Sequence, residues 1–256
     1  MLFEAKQISK SFVIEGGIFR RRVGAVEALR NVSVQLDPGE TVALVGGSGC
    51  GKSTLARIIT GLTSADSGAL LWNDHPLEEL TRVERSRCIQ MIFQDPFASL
   101  NPKLSVGAQL LEVVRRSQDI ERPHRRCVEL LESVGLSEAD LANYPFQFSG
   151  GQRQRIAIAR ALALGPQLLI ADESLSALDV SIQAQILDLF RRLRREGHLT
   201  FLFITHDLTV ANAFSDRIIV LKEGRIVEEG SAVAVFRNPQ DAYTRALLAA
   251  MPQIPS

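Results

Sequence analysis

Gly46-Gly47-Ser48-Gly49-Cys50-Gly51-Lys52-Ser53 sets the reading of the whole chain. Its spacing is G-x-x-x-x-G-K-[ST]. Thr41-Val42-Ala43-Leu44-Val45 precedes it, short, apolar and rich in β-branched residues, and reads as a buried strand. Thr54-Leu55-Ala56-Arg57-Ile58-Ile59 follows and continues as a helix. Strand, glycine turn and helix together make a phosphate cradle. The glycines let successive N–H groups turn inward, and the helix N-terminus adds its partial positive charge at the same place. Lys52 reaches the β- and γ-phosphates, and the Ser53 hydroxyl suits Mg²⁺. Gly46 to Ser53, together with Thr54, are therefore the candidate nucleotide-binding residues.

The 256 residues suffice for one large α/β domain or a core with a subdomain. Lysine plus arginine number 29 and aspartate plus glutamate 29, so the chain lacks the basic excess of a nucleic-acid binder. Its three cysteines, Cys50, Cys88 and Cys127, have no metal-ligand spacing and point to a reducing compartment. No signal peptide is read before the first strand, and no apolar run approaches the roughly 20 residues of a spanning helix. A role at a membrane is then expected from the cytoplasmic side and through partners.

Positions 2–13 alternate loosely and read as a strand that ends at Phe12, an aromatic suited either to stacking on an adenine or to a half-buried strand position. Positions 16–22 are a glycine turn and a basic cluster, either a contact for an acidic partner or a solvated loop. Two short strands are expected at 25–29 and 32–36, and a turn at 37–40. Further strands are expected at 69–72, 88–93, 168–173 and 200–205, with helix near 77–86. Positions 104–164 are mostly helical, with Val106, Leu110, Leu111, Val113 and Val114 at helical spacing and Gly135 suited to a helix end. An amphipathic helix covers 181–196, a hairpin 218–228, and two short helices flank Asn238-Pro239.

Several polar residues stand at strand ends. Asp172 follows an apolar strand, as a Mg²⁺-directing carboxylate does in phosphate-loop enzymes. Glu173 is next and, on a strand, points the other way, placed to polarise water. The Gln94 amide suits Mg²⁺ or the lytic water, and His206 suits the γ-phosphate. Four such ends meeting at one edge of a parallel sheet is where α/β folds bind ligands. Ser149-Gly150-Gly151-Gln152 opens a second helix, read either as a second anion site or as a glycine helix cap. A second anion site suggests that a second chain docks, each phosphate loop facing the other's Ser-Gly-Gly-Gln in a two-fold dimer.

In this order the phosphate loop, Gln94, Phe148-Ser149-Gly150-Gly151-Gln152, Leu169-Ile170-Ala171-Asp172-Glu173, Ser176-Ala177-Leu178-Asp179 and His206 resemble the ATP-binding-cassette family over nearly the whole chain. The resemblance implies an α/β fold: a phosphate-loop, RecA-like core with an antiparallel β subdomain and an inserted α-helical subdomain. It implies an ATP-binding domain over 3–247, the helical insertion at roughly 95–165, and a C-terminal extension over 231–256. The cofactors implied are ATP and Mg²⁺, the metal held by Ser53, Gln94 and Asp172. Glu173 is then the catalytic base, His206 the γ-phosphate sensor, Gln94 the link to a membrane subunit, Asp179 a bridge between monomers, and Phe12 the adenine stack.

Finer features resemble the second ATPase subunit of bacterial oligopeptide, dipeptide and nickel importers: Gly-Gly-x-Phe-Arg-Arg at 16–21, positions 93–102, Arg153-Gln154-Arg155, positions 179–185 and 239–248. Gly47 stands where that group often has Glu, and Ser174 where it usually has Pro, which loosens the turn after Glu173. The tail lacks the cysteine cluster of some relatives, so no iron–sulfur cluster is expected. The implied partners are two transmembrane permease subunits, a second ATPase subunit, itself or a paralogue, and an extracytoplasmic substrate-binding protein, with no nucleic acid. The implied location is the cytoplasmic face of the inner membrane. Peptide or nickel uptake would use the same chain, since cargo is chosen by other subunits. A related ATPase acting on DNA or ribosomes usually has a coiled-coil insertion or two fused cassettes, and neither is present.

Overall fold

A computed structural model describes residues 1–16, 21–95, 99–117, 121–175 and 178–250. Positions 17–20 of the basic loop, 96–98 of the 93–102 motif, and Ser176 and Ala177 lie outside them. The chain forms two compact units, one of Met1–Leu80 with Leu202–Ser256 and one of Thr81–Phe201.

In the first unit, β1 (Phe3–Gly16) and β2 (Arg21–Leu36) pair antiparallel in a four-stranded sheet ordered β2-β1-β4-β5, with β4 at Ser67–Trp72 and β5 at His75–Pro76. This is the expected antiparallel subdomain. Two strands were expected across 25–36, but β2 is a single strand. Both runs pair with β1, and the break between them is absorbed by Asn31, at φ +56°, whose N–H donates to Ser9 Oγ at 3.0 Å. Such irregularities keep one face apolar while the register shifts. Phe3, Ala5, Ile8, Val32, Val34 and Leu36 are all buried.

β3 (Thr41–Val45), buried at every position, runs parallel to β9 (Arg217–Lys222). β10 (Arg225–Ser231) returns antiparallel through a turn with Glu223 and Gly224 at φ +47° and +77°. The order is β10-β9-β3-β8, where β8 is Thr200–Thr205, the strand at which the units divide. α1 (Lys52–Ile59) follows β3, with the phosphate loop between them. Ala43, Val45, Ile218 and Val220 share a buried cluster with Leu208, Ala211, Ala232 and Val235, against which Tyr243 and Leu247 pack.

In the second unit, α2 (Arg82–Cys88) begins at a capping box of Thr81 and Glu84. The helix expected near 77–86 is thus a 3-10 turn at Leu77–Glu79 and then α2. Cys88 ends α2 rather than opening the next strand, because the Thr81 cap fixes where the helix starts and its turns carry through that residue. β6 (Ile89–Ile92) lies parallel to β7 (Leu168–Asp172), with Ile89 opposite Leu168 and Ile92 opposite Ala171.

Between them run α3 (Val106–Val114), α4 (Pro123–Ser133) and α5 (Gly150–Leu162), the expected helical block. Val106, Leu110 and Val114 are buried; Leu111 and Val113 are only half-buried. Gln109 takes a buried place on the same helix, its amide satisfied by the backbone of Asn101 and Leu104. Gly135 ends α4 at φ +78° as expected. α6 (Val180–Gly197) buries Ile186, Leu189 and Phe190 and ends at His198 in the left-handed region.

Candidate functional site

The phosphate loop is shaped by its glycines. Gly46 sits at φ +154°, where a Cβ would lie 2.1 Å from Leu221 O. Gly51, the cap residue of α1, is at φ +113°, and a Cβ there would meet Ala28 O at 2.3 Å. Only glycine fits between the loop and these two backbones. The Cys50 carbonyl accepts the Gly224 N–H at 3.0 Å, which ties the loop to the β9–β10 turn.

Lys52 is buried, and its Nζ donates to Gly46 O at 2.9 Å and Gly47 O at 3.0 Å. Its charge is thereby held inside the loop, where an anion would meet it. Cys50 Sγ stands 3.9 Å from Lys52 Nζ. Burial nonetheless pushes the thiol up, against the pull of the ammonium, so it stays protonated. Ser48 and Gly49 are exposed, whereas Ser53 and Thr54 are half-buried in the first turn of α1. The loop is thus open to a ligand at its tip and closed at its base.

Phe12 lies on β1 opposite Val26, 44% exposed, with Lys10 Nζ 5.6 Å from its ring centroid. Such exposure leaves a face for a planar ligand. Lys10 also binds Asp66 at 2.6 Å, and with the Ser11 N–H this holds the Asp66 carboxyl below its usual range. His206 is exposed just beyond β8, and Asp207 caps the following helix, α7 (Leu208–Phe214).

The second unit brings Asp172, Glu173 and Gln94 to the adjacent C-terminal ends of β7 and β6. Asp172 is buried as the last residue of β7. Glu173 lies beyond the strand at φ +46°, so strand alternation does not set its direction. The left-handed backbone turns it instead, and Gln94 Nε2 donates to its Oε2 at 3.5 Å. Ser174, next in line, is buried, and its Oγ has no hydrogen-bond partner among the described residues.

Ser149 caps α5: its Oγ accepts the Gln152 N–H at 3.3 Å, while Gln152 Oε1 accepts the Ser149 N–H at 3.0 Å. This reciprocal cap is the helix-cap reading of the motif. Gly150 is exposed, but Gly151 is buried, with a Cβ position 2.6 Å from Ile182 Cγ2 on α6. Asp179 caps α6 through the Ile182 N–H at 3.0 Å and accepts the Ser181 hydroxyl at 2.8 Å. These donors, the Ile182 N–H first, hold its carboxyl below the ordinary range.

The same unit carries a cleft of about 660 Å³ lined by residues that include Met91, Val113 and Leu164. Arg82, Arg87, Arg116 and Arg160 also line it. Arg87 donates to Arg116 O at 2.9 Å and Arg160 to Ser99 O, which fixes both guanidinium groups.

Sequence reasoning passed over three ties. Tyr243 accepts the Gly47 N–H, Asp216 accepts the Thr41 N–H at 2.8 Å, and Arg217 pairs with Glu40. Each joins residues at least 175 apart, and only the 239–248 motif carried a signal, for Tyr243.

A glycine cradle around a buried lysine and paired carboxylates at the end of a parallel strand define a phosphate-loop nucleotide-binding protein. Residues 29–176 match the family described as ABC transporter. The oligopeptide transport ATP-binding protein AppF of Bacillus subtilis is 44% identical over 257 residues, covering 98% of this chain and 78% of that one. OppF of Lactococcus lactis, also an oligopeptide transport ATP-binding protein, is 42% identical, covering 99% and 81%. The glutathione import ATP-binding protein GsiA of Pectobacterium atrosepticum is 45% identical, but this chain spans only 41% of its length. Among solved structures, the ATP-binding cassette MJ0796, a dimer bound to ADP and Pi, superposes with a TM-score of 0.77 at 30% identity, covering 90% of this chain and 99% of that one. The chain belongs to the ABC transporter family. It is an ATPase cassette that couples ATP hydrolysis to transport.

Proposed function

We propose that this chain is an ATP-binding subunit of a bacterial importer, working at the cytoplasmic face of the inner membrane to drive uptake of oligopeptides or dipeptides. The observation that carries this is the near-full-length likeness to ATP-binding proteins named for oligopeptide and glutathione import. Among the described residues no helix is long and apolar enough to cross a membrane. The membrane path then belongs to partners: two permease subunits, with an extracytoplasmic binding protein delivering cargo. The arginine-lined apolar cleft of the second unit suits a permease helix that carries an acidic residue.

Lys52 and the inward N–H groups of the phosphate loop bind the β- and γ-phosphates, and Phe12 stacks on the adenine. Ser53, Asp172 and Gln94 offer a hydroxyl, a carboxylate and an amide oxygen, the hard donors that Mg²⁺ prefers. When bound, Mg²⁺ neutralises phosphate charge. Glu173 accepts a proton from the attacking water, Gln94 orients that carboxylate, and His206 contacts the γ-phosphate. Ser149, Gly150, Gly151, Gln152 and Asp179 serve the nucleotide held by a second ATPase subunit, itself or a paralogue.

Glu173→Gln tests the assignment. ATP binding persists while turnover falls by about two to four orders of magnitude, the usual worth of a general base. Turnover within about two-fold of wild type refutes the role, on the same scale.

A further inference from the structure

The phosphate loop is held from the far end of the chain. Tyr243 lies in the first turn of α9 (Ala242–Ala249), the helix after α8 (Ala232–Arg237). Its hydroxyl oxygen accepts the Gly47 N–H at 2.8 Å, across 196 positions. A Cβ on Gly47 would stand 3.0 Å from that oxygen, so glycine gives the tyrosine its approach. Lys222 Nζ sits 5.0 Å from the ring centroid, and the ring packs on the cluster containing Ala43 and Val45. The start of α9 is itself fixed. Asp241 accepts the Tyr243 N–H at 2.7 Å, and Glu228 on β10 accepts the N–H groups of Gln240 and Asp241 at 2.7 and 3.0 Å.

Gly46 and Gly47 form the seat of Lys52, since both of their carbonyls accept from its Nζ. Gly46 is pinned by the close approach of Leu221 O. On the other side of the same short limb, the Gly47 N–H is pinned by Tyr243. We infer that Tyr243 is a positioning residue for ATP binding: by holding Gly47 it holds the carbonyl seat from which Lys52 meets the phosphates. The inference rests on the ATP-binding reading above and extends the nucleotide grip to the C-terminal helix. The loop without Tyr243 must be ordered by the nucleotide itself, at the expense of affinity.

Tyr243→Phe removes the acceptor and keeps the ring. The dissociation constant for ATP rises about five-fold, or about 1 kcal/mol, the worth of one neutral hydrogen bond. At saturating ATP kcat is unchanged, so the effect appears in KM. Without nucleotide, the Gly47 amide exchanges with solvent faster in the variant. Gly47→Ala crowds the same oxygen and reaches the same bond if Tyr243→Phe does not fold, and the double variant costs less than the sum. Tyr243→Phe binding ATP as tightly as wild type overturns the proposal alone and leaves the functional reading standing. A fall in kcat with unchanged KM also overturns it. Wild-type protein that binds no ATP overturns both.

Discussion

Glu173 and Ser174 show how the proposed catalytic corner departs from an ordinary strand end. A non-glycine residue in the left-handed region costs about 1–2 kcal/mol, and Glu173 occupies it at φ +46°. Ser174 then buries a hydroxyl, 3% exposed, with no partner among the described residues. An orphaned buried hydroxyl costs about 1–3 kcal/mol, and alanine removes that hydroxyl while leaving a gap of only one atom. Ser174→Ala is therefore expected to leave the melting temperature unchanged or raise it, by up to about 10 °C on the usual scale for a chain of this size. Calorimetry checks it, and a lowered melting temperature would mean that the hydroxyl has a partner. The carboxylates themselves were legible in sequence, because an apolar run ending in Asp-Glu is visible one residue at a time. The direction of Glu173 was not, because alternation holds only while the backbone stays extended.

At the level of elements, α5 and α6 meet where a motif glycine faces a β-branched side chain. On propensity alone, Gly151→Ala stabilises a helix by about 1 kcal/mol. Here the new Cβ would lie 2.6 Å from Ile182 Cγ2, and β-branching fixes that methyl group at χ1. Overpacking of this kind costs about 1–3 kcal/mol, so packing outweighs propensity and the variant is less stable. Ile182→Ala in the Gly151→Ala background recovers part of the loss, which urea denaturation of the four-member cycle reads. Equal stability of Gly151→Ala and wild type would show that the helices can part at no cost. Sequence reading found α3 to α6 because their apolar residues repeat at helical spacing. It divided β2 in two because polar Arg30 and Asn31 interrupt the apolar alternation, while partner strand β1 makes Asn31, at φ +56°, an irregularity within one strand.

Across the whole molecule, the first unit is closed by segments from both ends of the chain. The nucleotide loop was legible because its chemistry is contiguous. What holds it in place was not, because Tyr243, Asp216 and Arg217 reach their partners from at least 175 residues away. Arg217 is the sharpest case. Its Nε and one terminal nitrogen reach the two Glu40 oxygens at 2.9 and 3.1 Å, and it also donates to Glu229 and to Gln35 O. The Glu40 carboxylate, chiefly, raises the guanidinium pKa further, so the charge is present at every pH the fold survives. A lysine keeps that charge but is a point donor and cannot bridge both oxygens and a carbonyl. Arg217→Lys is therefore expected to lose about 1–3 kcal/mol and lower the melting temperature by about 2–10 °C. Glu40→Gln adds little on top of it, because the same contact has already been lost. A lysine variant as stable as wild type would show that charge alone joins the two ends of the chain, and that the forked geometry is incidental.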